Sequence, residues 1–554
     1  MLRALSEAVV QAASAAGLDI SADSVSLEHP AALEKGDYAT GVALKLAKEA
    51  KIAPKALAEK IVAVLGNIPG VEKIEVAGAG FINFYLTSDA IATSIQEAIS
   101  EGKWGAGSLH AGKKIMIEYT DPNPFKEFHI GHLMSNAIGE SVARLVEYTG
   151  AEVKRANYQG DVGPHVAKAL WGLKKLNLDA SDANALGKAY AAGSSAYESD
   201  ANARAEIESL NAKIYDRSDS ELNALYDAGR KASLAHFEEI YMVLGTKFDF
   251  YFFESETAPR GVELVRNNAG VFKQSEGATV YEGEKVGLHT RVFVTSKGLP
   301  TYETKELGLA QMKEEKWPFD TSVTVTAHEQ SGYFKVVLAA MKEVLPELAP
   351  KLRHITHGMM RLPSGKMSSR TGDVITGESL LVELTAAAAE RARDSRASDR
   401  GQLAQDVAVA AIKYQILKQA SGRDIVFDRE RALSLEGDSG PYLQYAHARA
   451  HAVVEKAKEQ NVVASVNKDT EPMELSRLLR RFPEEVEYAA RELEPHLLTN
   501  YLIAFASAFN RWYANEQILD GTPAAAHKVA LADAARRTLK NGLWLLGIPA
   551  PERM

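Results

Sequence analysis

His129-Ile130-Gly131-His132 is the stretch that decides the fold, because it stands between a strand pattern and a helix pattern. The apolar run Ile115-Met116-Ile117 comes before it, and a helical pattern over 133–148 comes after it. Two histidines three residues apart lie on one face of a helix's first turn, and the glycine between them lets a ligand approach the backbone. Free backbone N–H groups at a helix start favour negative charge, so this stretch suits a nucleotide.

The segments around this stretch follow the order strand, helix, strand. The pattern predicts a strand over 113–119, a helix over 132–149 and a second strand over 152–157. Such a βαβ unit implies a parallel sheet whose ligand site lies at the carboxyl ends of the strands. Further strands are predicted over 287–294 and 322–326. The sequence therefore predicts an α/β domain with a ligand site at one sheet edge.

Two flanking regions differ from this pattern. Residues 1 to about 88 combine helical runs with alternating strand patterns, which indicates a small α/β unit, and a glycine-rich linker follows it. Beyond residue 376 the pattern is helical, with large apolar side chains on one stripe, as in a helical bundle. We therefore predict an N-terminal domain with its linker over 1–110, an α/β domain over 111–375 with a helical insertion at about 167–244, and an all-α domain over 376–554.

The composition excludes several classes of protein. The chain has no cysteine, which excludes disulfides and thiolate metal sites and fits a reducing cytoplasm. No stretch approaches the roughly 18 uncharged apolar residues of a membrane span, and the first residues turn acidic too early for a signal peptide. The net charge of −9 argues against nucleic-acid binding by bulk attraction but leaves room for a local basic face. We expect a cytoplasmic protein without a membrane partner.

A second motif lies late in the predicted α/β domain, at Gly365-Lys366-Met367-Ser368-Ser369-Arg370. Pro363 and the glycine free the loop, Lys366 and Arg370 bring positive charge, and the two serines bring hydroxyl donors. Phosphoryl chemistry needs positioning and charge neutralisation more than covalent help. A flexible cationic loop of this kind is typical of a pyrophosphate clamp.

The two motifs, in this order, resemble those of class I aminoacyl-tRNA synthetases, and further residues narrow the resemblance to the arginyl-tRNA synthetase family. The segment Gly36 to Thr40, after His29-Pro30, is similar to the N-terminal module with which that family holds the outer corner of tRNA. The segments 437–446, 509–513 and 543–549 are similar to its anticodon-binding bundle. The resemblance implies a class I Rossmann-type catalytic domain, a small N-terminal α/β domain and a C-terminal all-α bundle.

The resemblance also indicates which residues handle ATP. The catalytic side chains that it implies, which stabilise charge on the triphosphate, are Lys126, His129, His132 and Lys366. The implied ATP-binding residues are His129, Gly131, His132, Lys366, Met367, Ser368, Ser369 and Arg370. The general class I pattern has a lysine where Ser369 stands, and Lys126 supplies a cation from the other side, which resembles an arrangement among arginyl enzymes.

Substrate choice is expected to depend on carboxylates, because the guanidinium group of arginine presents five donors in a rigid fork. The residues that match the family's arginine pocket in type and spacing are Glu118, Asn123, Glu254, Tyr302, Glu306 and Gln330. Tyr302 and Glu306 lie four residues apart and so share one helix face. The family usually has aspartate where Glu306 stands, and the extra methylene moves the carboxylate by about 1 Å. The loop over 157–163 also resembles the family and is predicted to face the ligand.

The implied reaction has two steps. The carboxylate of L-arginine attacks the α-phosphate of ATP, with Mg²⁺ screening the phosphates, and the 3′-terminal ribose of tRNA(Arg) then takes the arginyl group. Substrate oxygens do the attacking, so neither a protein nucleophile nor a metal-ligating cluster is predicted. We expect a monomer. Basic clusters occur at 391–400, 477–481 and 536–540, but such runs are usually solvated helix faces, and Trp512 is expected in the core.

Two alternatives stay open at this stage. Another ligand-charging or nucleotidyl-transfer enzyme would share the histidine motif but would need neither an acidic pocket nor a helical anticodon domain. A non-catalytic tRNA-binding relative would keep both end domains and lose the histidines or Lys366. The retained motifs argue against the second alternative, and Glu118 together with Glu254 argues against the first.

Overall fold

The computed structural model describes residues 1–30, 32–363, 375–393, 395 and 397–554. The loop residues Lys366, Met367, Ser368, Ser369 and Arg370 lie outside the described residues. The chain divides into two compact units. The first comprises 1–105, 449–483 and 505–538, and the second comprises 106–448, 484–504 and 539–554. The strand-and-helix segments around the histidine motif belong to the second unit.

The N-terminal part of the first unit combines an antiparallel sheet with helices. Its strands, in the sheet order β1-β2-β4-β3, are β1 (Leu27–Glu28), β2 (Tyr38–Thr40), β3 (Val71–Ala77) and β4 (Phe81–Leu86). Its helices are α1 (Leu2–Ala15), α2 (Val42–Ala50), α3 (Pro54–Val64) and α4 (Ser88–Ser100). Ile82, Phe84 and Leu86 alternate along β4 and are buried in the core of this unit, as the two-residue period of a strand requires. The small α/β unit predicted from the sequence is confirmed.

The second unit is built around a parallel sheet. The strands from residue 106 onward are β5 (Lys114–Glu118), β6 (Glu152–Gln159), β7 (Phe250–Phe253), β8 (Lys273–Ser275), β9 (Ala278–Tyr281), β10 (Arg291–Val294), β11 (Thr321–Ala327), β12 (Leu352–His357), β13 (Met360–Arg361) and β14 (Ile425–Val426). In the described chain, five of them form the sheet β12-β11-β5-β6-β7, with every neighbouring pair parallel. The strand order reverses beside β5, and such a switch point is where α/β sheets bind ligands. The predicted parallel-sheet domain is confirmed.

Helices cover this sheet and form the insertion. They are α5 (Ile130–Tyr148), α6 (Pro164–Leu176), α7 (Ala183–Ser199), α8 (Ala201–Asp216), α9 (Ser220–Leu244), α10 (Glu254–Asn267), α11 (Tyr302–Lys316), α12 (Ser331–Val344), α13 (Gly377–Arg391), α14 (Arg400–Leu417) and α15 (Arg429–Ala432). The insertion predicted at about 167–244 is helical and consists of α6 to α9, with an apolar core of its own that includes Val166, Leu170 and Leu222.

The strand predicted over 287–294 is only half right. Gly287 has φ +72° and follows a 3₁₀ turn, so the strand begins at Arg291. This strand belongs to a separate antiparallel sheet, β10-β9-β8, in which β8 and β9 form a hairpin that the sequence analysis missed. The hairpin turn places Glu276 at φ +50° and Gly277 at φ +80°, and two positive φ values are typical of a tight hairpin.

The C-terminal region is helical, as predicted. Its long helices are α16 (Gly440–Glu459), α17 (Glu474–Glu492), α18 (Pro495–Asn515) and α19 (Ala525–Leu545), and each contributes residues to both compact units. Trp512 is buried, as expected. Across the described ranges, every helix is too short or too polar to cross a membrane.

Candidate active site

The loop after β5 has an unusual backbone. Thr120, Asp121 and Phe125 have φ values of 78°, 46° and 68°, a region that L side chains rarely adopt. Each such residue costs on the order of 1–3 kcal/mol, so the surrounding structure must hold the loop in place. The Thr120 N–H donates to the Ser135 hydroxyl on α5 (2.9 Å), and the Phe125 N–H donates to the Ser233 hydroxyl on α9 (2.9 Å). The loop is therefore fixed from two helices.

The two histidines of the opening motif cap α5 and stack on each other. Nδ1 of His132 accepts the His129 N–H (3.2 Å), Nδ1 of His129 accepts the His132 N–H (3.4 Å), and the ring centroids are 3.4 Å apart. A Cβ on Gly131 would lie 3.0 Å from the His129 ring, so glycine leaves room for this stack. Because each Nδ1 is an acceptor, the proton of each neutral ring lies on Nε2. Both rings therefore offer an Nε2–H donor to a ligand.

Both histidines are uncharged at neutral pH. Desolvation lowers the pKa of His129 to about 4, and repulsion from Lys126 and His357 adds to the effect. Desolvation, followed by repulsion from His129, lowers the pKa of His132 well below its usual value. The residue His129 is open to solvent on one side, whereas His132 is buried. These rings act as neutral hydrogen-bond donors rather than as cations.

Lys126 is a cation that the sequence analysis assigned to the same ligand as this pair. Its Nζ lies 5.1 Å from the ring centroid of Tyr190 on α7. Its charge also contributes to the lowered pKa values of His129 and His132. The side chain therefore lies within electrostatic reach of both rings and at the edge of the insertion.

Two of the predicted arginine-binding residues meet at Gly160, after the end of β6. A Cβ on Gly160 would lie 2.3 Å from Asn123 Oδ1 and 3.2 Å from Glu254 Oε1. Glu254 begins α10 and accepts a hydrogen bond from Lys305 Nζ (2.6 Å). The same Nζ lies 5.1 Å from the ring centroid of Tyr302, at the start of α11. Gly160 and Lys305 thus bring Asn123, Glu254 and Tyr302 together.

Glu118 and Glu306 belong to a second group. Glu118 ends β5 and accepts a hydrogen bond from Lys313 Nζ (2.9 Å), and both side chains are buried. Burial, with repulsion from Glu118, raises the pKa of Glu306 to about 8 against the pull of Lys313. Burial and the same repulsion raise the pKa of Asp121 well above its usual value. Burial therefore disfavours the ionised forms of Glu306 and Asp121, and a bound cation would stabilise them.

Gln330 and the phosphate-clamp loop complete the predicted site. Gln330 ends a 3₁₀ turn after β11, the strand beside β5, and is exposed. Lys366 to Arg370 lie outside the described residues, and α13 begins soon after them. The Gly377 N–H donates to the Phe128 carbonyl (2.8 Å), and a Cβ there would lie 3.1 Å from the His129 carbonyl. The chain after the predicted clamp thus lies against the histidine motif.

Sequence reasoning missed Asp121, Lys305 and Lys313. Lys305 and Lys313 lie three and eleven residues after Tyr302, so they fall near the helix face that carries Glu306. Charged residues at buried positions of a helix are a signal that the sequence contained, since such residues are rarely buried unless they are paired. Asp121 carried no comparable signal, because its burial depends on the unusual loop.

Some segments that resembled RNA-binding parts form contacts within the protein. Asp37 of the segment 36–40 is buried, and Arg477 of α17 donates to its carboxylate (2.7 Å). Arg536 and Arg537 both pair with Asp533 (2.6 and 3.1 Å). Arg477, Arg536 and Arg537 therefore have partners on the protein itself.

Comparisons with known proteins match all three regions of the chain to one family. The family description "tRNA synthetases class I (R), catalytic domain" matches residues 94–429, the arginyl-tRNA synthetase N-terminal domain matches 3–86, and the DALR anticodon-binding domain matches 443–554.

Individual relatives match along almost the whole chain. An arginine–tRNA ligase of Treponema denticola is 30% identical, over 96% of this chain and 95% of its own. One of Streptococcus pneumoniae is 32% identical, over 95% of each chain. The solved structure of Thermus thermophilus arginyl-tRNA synthetase has a TM-score of 0.84 and 27% identity, and it covers 100% of both chains. The catalytic-domain match spans more than half of the sequence, and the chain belongs to the arginyl-tRNA synthetase family.

Proposed function

We propose roles for individual residues of this arginine–tRNA ligase in activating L-arginine and in transferring it to tRNA. The observation that carries the proposal is one arrangement at the carboxyl edge of the sheet. Neutral histidine donors lie at the start of α5, and buried carboxyl groups gather at the adjoining ends of β5, α10 and α11. The first group suits a triphosphate, and the second suits a guanidinium.

The activation step needs charge stabilisation rather than a protein nucleophile. A carboxylate oxygen of arginine forms a bond to the α-phosphorus of ATP, the bond to the leaving pyrophosphate breaks, and arginyl-adenylate results. The Nε2–H groups of His129 and His132 donate to the phosphate oxygens as negative charge builds up. Lys126 and, from the clamp loop, Lys366 add positive charge. Gly131, Met367, Ser368, Ser369 and Arg370 complete the ATP site.

The amino acid is held by the acidic side of the site. Glu118 and Glu254 each have a direct lysine partner, whereas the described ion pairs and hydrogen bonds give Glu306 none. Glu306 faces the guanidinium and gives up its proton when the cation arrives. Asn123, Glu254, Tyr302 and Gln330 hold the remaining polar groups of the substrate, and Glu118 supports Glu306 with negative charge. A guanidinium satisfies this group better than an ammonium does, because its fork matches carboxylates bidentately.

Transfer follows when a hydroxyl of the 3′-terminal ribose of tRNA(Arg) attacks the arginyl carbonyl and AMP leaves. Among the described residues, no group of three or more His, Asp or Glu side chains could hold a metal ion. Mg²⁺ usually binds through substrate phosphates and water with only one or two protein carboxylates, so we assign the ion to the phosphates of the bound ATP. We further propose that the enzyme works as a monomer in the cytoplasm, with domains divided near residues 110 and 375.

A panel of amino acids in pyrophosphate exchange, run with tRNA(Arg), tests the proposal. The kcat/KM for arginine should exceed that for lysine or citrulline by roughly a hundredfold or more. Neither competitor has a guanidinium, so buried carboxylates would be left unpaired, which costs binding energy. Comparable values for lysine or citrulline would contradict the assignment of the acidic pocket.

A further inference from the structure

Asp161, two residues beyond β6, is fully buried and is not one of the proposed substrate-binding residues. Its carboxylate accepts hydrogen bonds from the Tyr226 hydroxyl (3.0 Å), Arg230 Nε (3.0 Å), and the Ser255 N–H and hydroxyl (2.9 and 2.8 Å). Tyr226 and Arg230 belong to α9 of the insertion, and Ser255 lies in the first turn of α10. Asp161 therefore links the insertion to the helix that begins with Glu254.

Arg230 holds the other side of the same turn. Its guanidinium carbon lies 3.9 Å from the ring centroid of Phe253, the residue before Glu254. The residues on both sides of Glu254 are thus held, Phe253 by Arg230 and Ser255 by Asp161. A carboxylate at the start of a helix also interacts favourably with the helix dipole, which adds to the hold of Asp161 on α10.

The neighbouring Gly160 faces the opposite way, toward the substrate site. A Cβ on Gly160 would meet Asn123 and Glu254, and the Gly160 carbonyl pairs with Nε2 of His165 on α6 (2.7 Å). The dipeptide Gly160-Asp161 therefore has the arginine-binding residues on one side and the insertion on the other. A displacement of Asp161 would move the backbone of Gly160, beside which Asn123 and Glu254 meet.

We propose that Asp161 and Arg230 are positioning residues for amino-acid binding, which act by fixing the backbone on both sides of Glu254. The inference rests on the proposed function, since it takes Glu254 as a contact of the bound arginine. It gives the helical insertion a role in substrate binding, carried by α9.

Arg230 is suited to a test because its removal leaves no sealed void. It lines an open cavity of about 570 Å³ together with Arg217, Asp227 and Arg266. Water can fill the space that a truncated side chain leaves there, so Arg230→Ala is expected to fold. Arg266 offers a matched control, because it lines the same cavity but belongs to the last turn of α10, at the opposite end of the helix from Glu254.

The experiment measures KM for arginine and for ATP separately, in pyrophosphate exchange with tRNA(Arg). Arg230→Ala should raise the arginine KM roughly tenfold, the scale of one lost hydrogen bond to a charged group, and leave the ATP KM nearly unchanged. Arg230→Lys should restore part of the affinity. Asp161→Asn should give the larger arginine effect, and Tyr226→Phe a smaller shift in the same direction if Asp161→Asn does not fold. Arg266→Ala should match the unmodified enzyme.

The outcomes separate this inference from the proposed function. An active Arg230→Ala enzyme with an unchanged arginine KM would overturn the inference alone. Equal increases in both KM values, together with a lower melting temperature, would show a merely structural role and would also overturn it. Absence of arginine-dependent exchange in the unmodified enzyme would overturn the proposed function and, with it, this inference.

Discussion

The histidine pair and the acidic pocket lie at the same sheet edge but are assembled in different ways. The pair is local, since two residues three apart cap one helix and stack on each other. The pocket combines the end of β5, the start of α10 and one face of α11, and its members are joined by contacts across the chain, such as Lys313 with Glu118. Residue spacing determines the geometry of a local motif, but it does not determine the geometry of a pocket built from distant segments.

The two regions also respond to burial in opposite ways. At the histidines, burial removes a positive charge and leaves neutral N–H donors. In the pocket, burial keeps Glu306 protonated, while Glu118 and Glu254 are paired with lysines. Desolvation disfavours the charged form of any group, so its consequence depends on whether a partner is at hand. The histidine pair can therefore donate hydrogen bonds to an anion. The acidic pocket can release the proton of Glu306 when a cation binds.

The largest effect is expected from His132→Asn. The asparagine Oδ1 takes the place of Nδ1 and can still accept the His129 N–H, but the variant has no Nε2–H donor. Because His132 is buried, water does not replace that donor, and kcat should fall by about 10³-fold, the upper end for one charge-stabilising group. Steady-state kinetics should show little change in the arginine KM. This result would confirm that the local region acts on the phosphates alone.

A half-buried histidine away from the motif provides the control. His354 on β12 stacks on Phe334, with ring centroids 3.9 Å apart. His354→Asn should lower the melting temperature without a comparable loss of kcat. A His132→Asn enzyme with unimpaired kcat would remove the histidine motif from the catalytic step.

A smaller effect is expected from Lys126→Ala. This side chain is only partly buried, so solvent and counter-ions replace some of its charge, and kcat should fall by about 10²-fold. Lys168 is the matched control, because its Nζ also lies over an insertion tyrosine, 4.5 Å from the centroid of Tyr197. Lys168→Ala should leave kcat unchanged. Partial rescue of Lys126→Ala by Ser369→Lys would support the idea that Lys126 compensates for the lysine missing from the clamp loop.

The sequence predicted the local parts of this molecule well. The strand before His129 and the helix after it followed from apolar periodicity. Gly131 was expected to admit a ligand, and the structure shows that it also leaves room for the two rings to stack. The antiparallel hairpin of β8 and β9 was missed, because its strands are short and β8 is exposed on both faces, so they show no clear alternation. Helices and strands with one buried face are readable from the sequence, since burial imposes their period.

Pairings between distant segments could not be read in the same way. The list of acidic residues was inferred from a resemblance, but nothing in it indicated that Glu118 and Glu254 would be matched with Lys313 and Lys305. Nor did the pattern indicate that Asp37 would be paired with Arg477, 440 residues away. Such pairs depend on which elements pack together, and this is decided by the whole fold.

The smallest expected effect tests the pocket through pH. Glu306 has a pKa of about 8 in the free enzyme, and a bound guanidinium favours its ionised form. Below pH 8 binding must therefore displace a proton, so affinity should rise with pH, by about tenfold between pH 6 and 7, and level off as the pH passes 8. Calorimetry in buffers with different ionisation enthalpies should detect the released proton. Glu306→Gln should bind arginine more weakly and should lose this pH dependence, because the amide does not titrate.

The affinity for ATP, measured in parallel, provides the control. The histidines do not titrate between pH 6 and 8, since the pKa of His129 is about 4 and that of His132 is also lowered. The ATP affinity should therefore stay flat over this range, apart from the titration of ATP itself. An arginine affinity equally flat in the unmodified enzyme would show that Glu306 is already ionised without substrate, and that the two regions differ less than their burial implies.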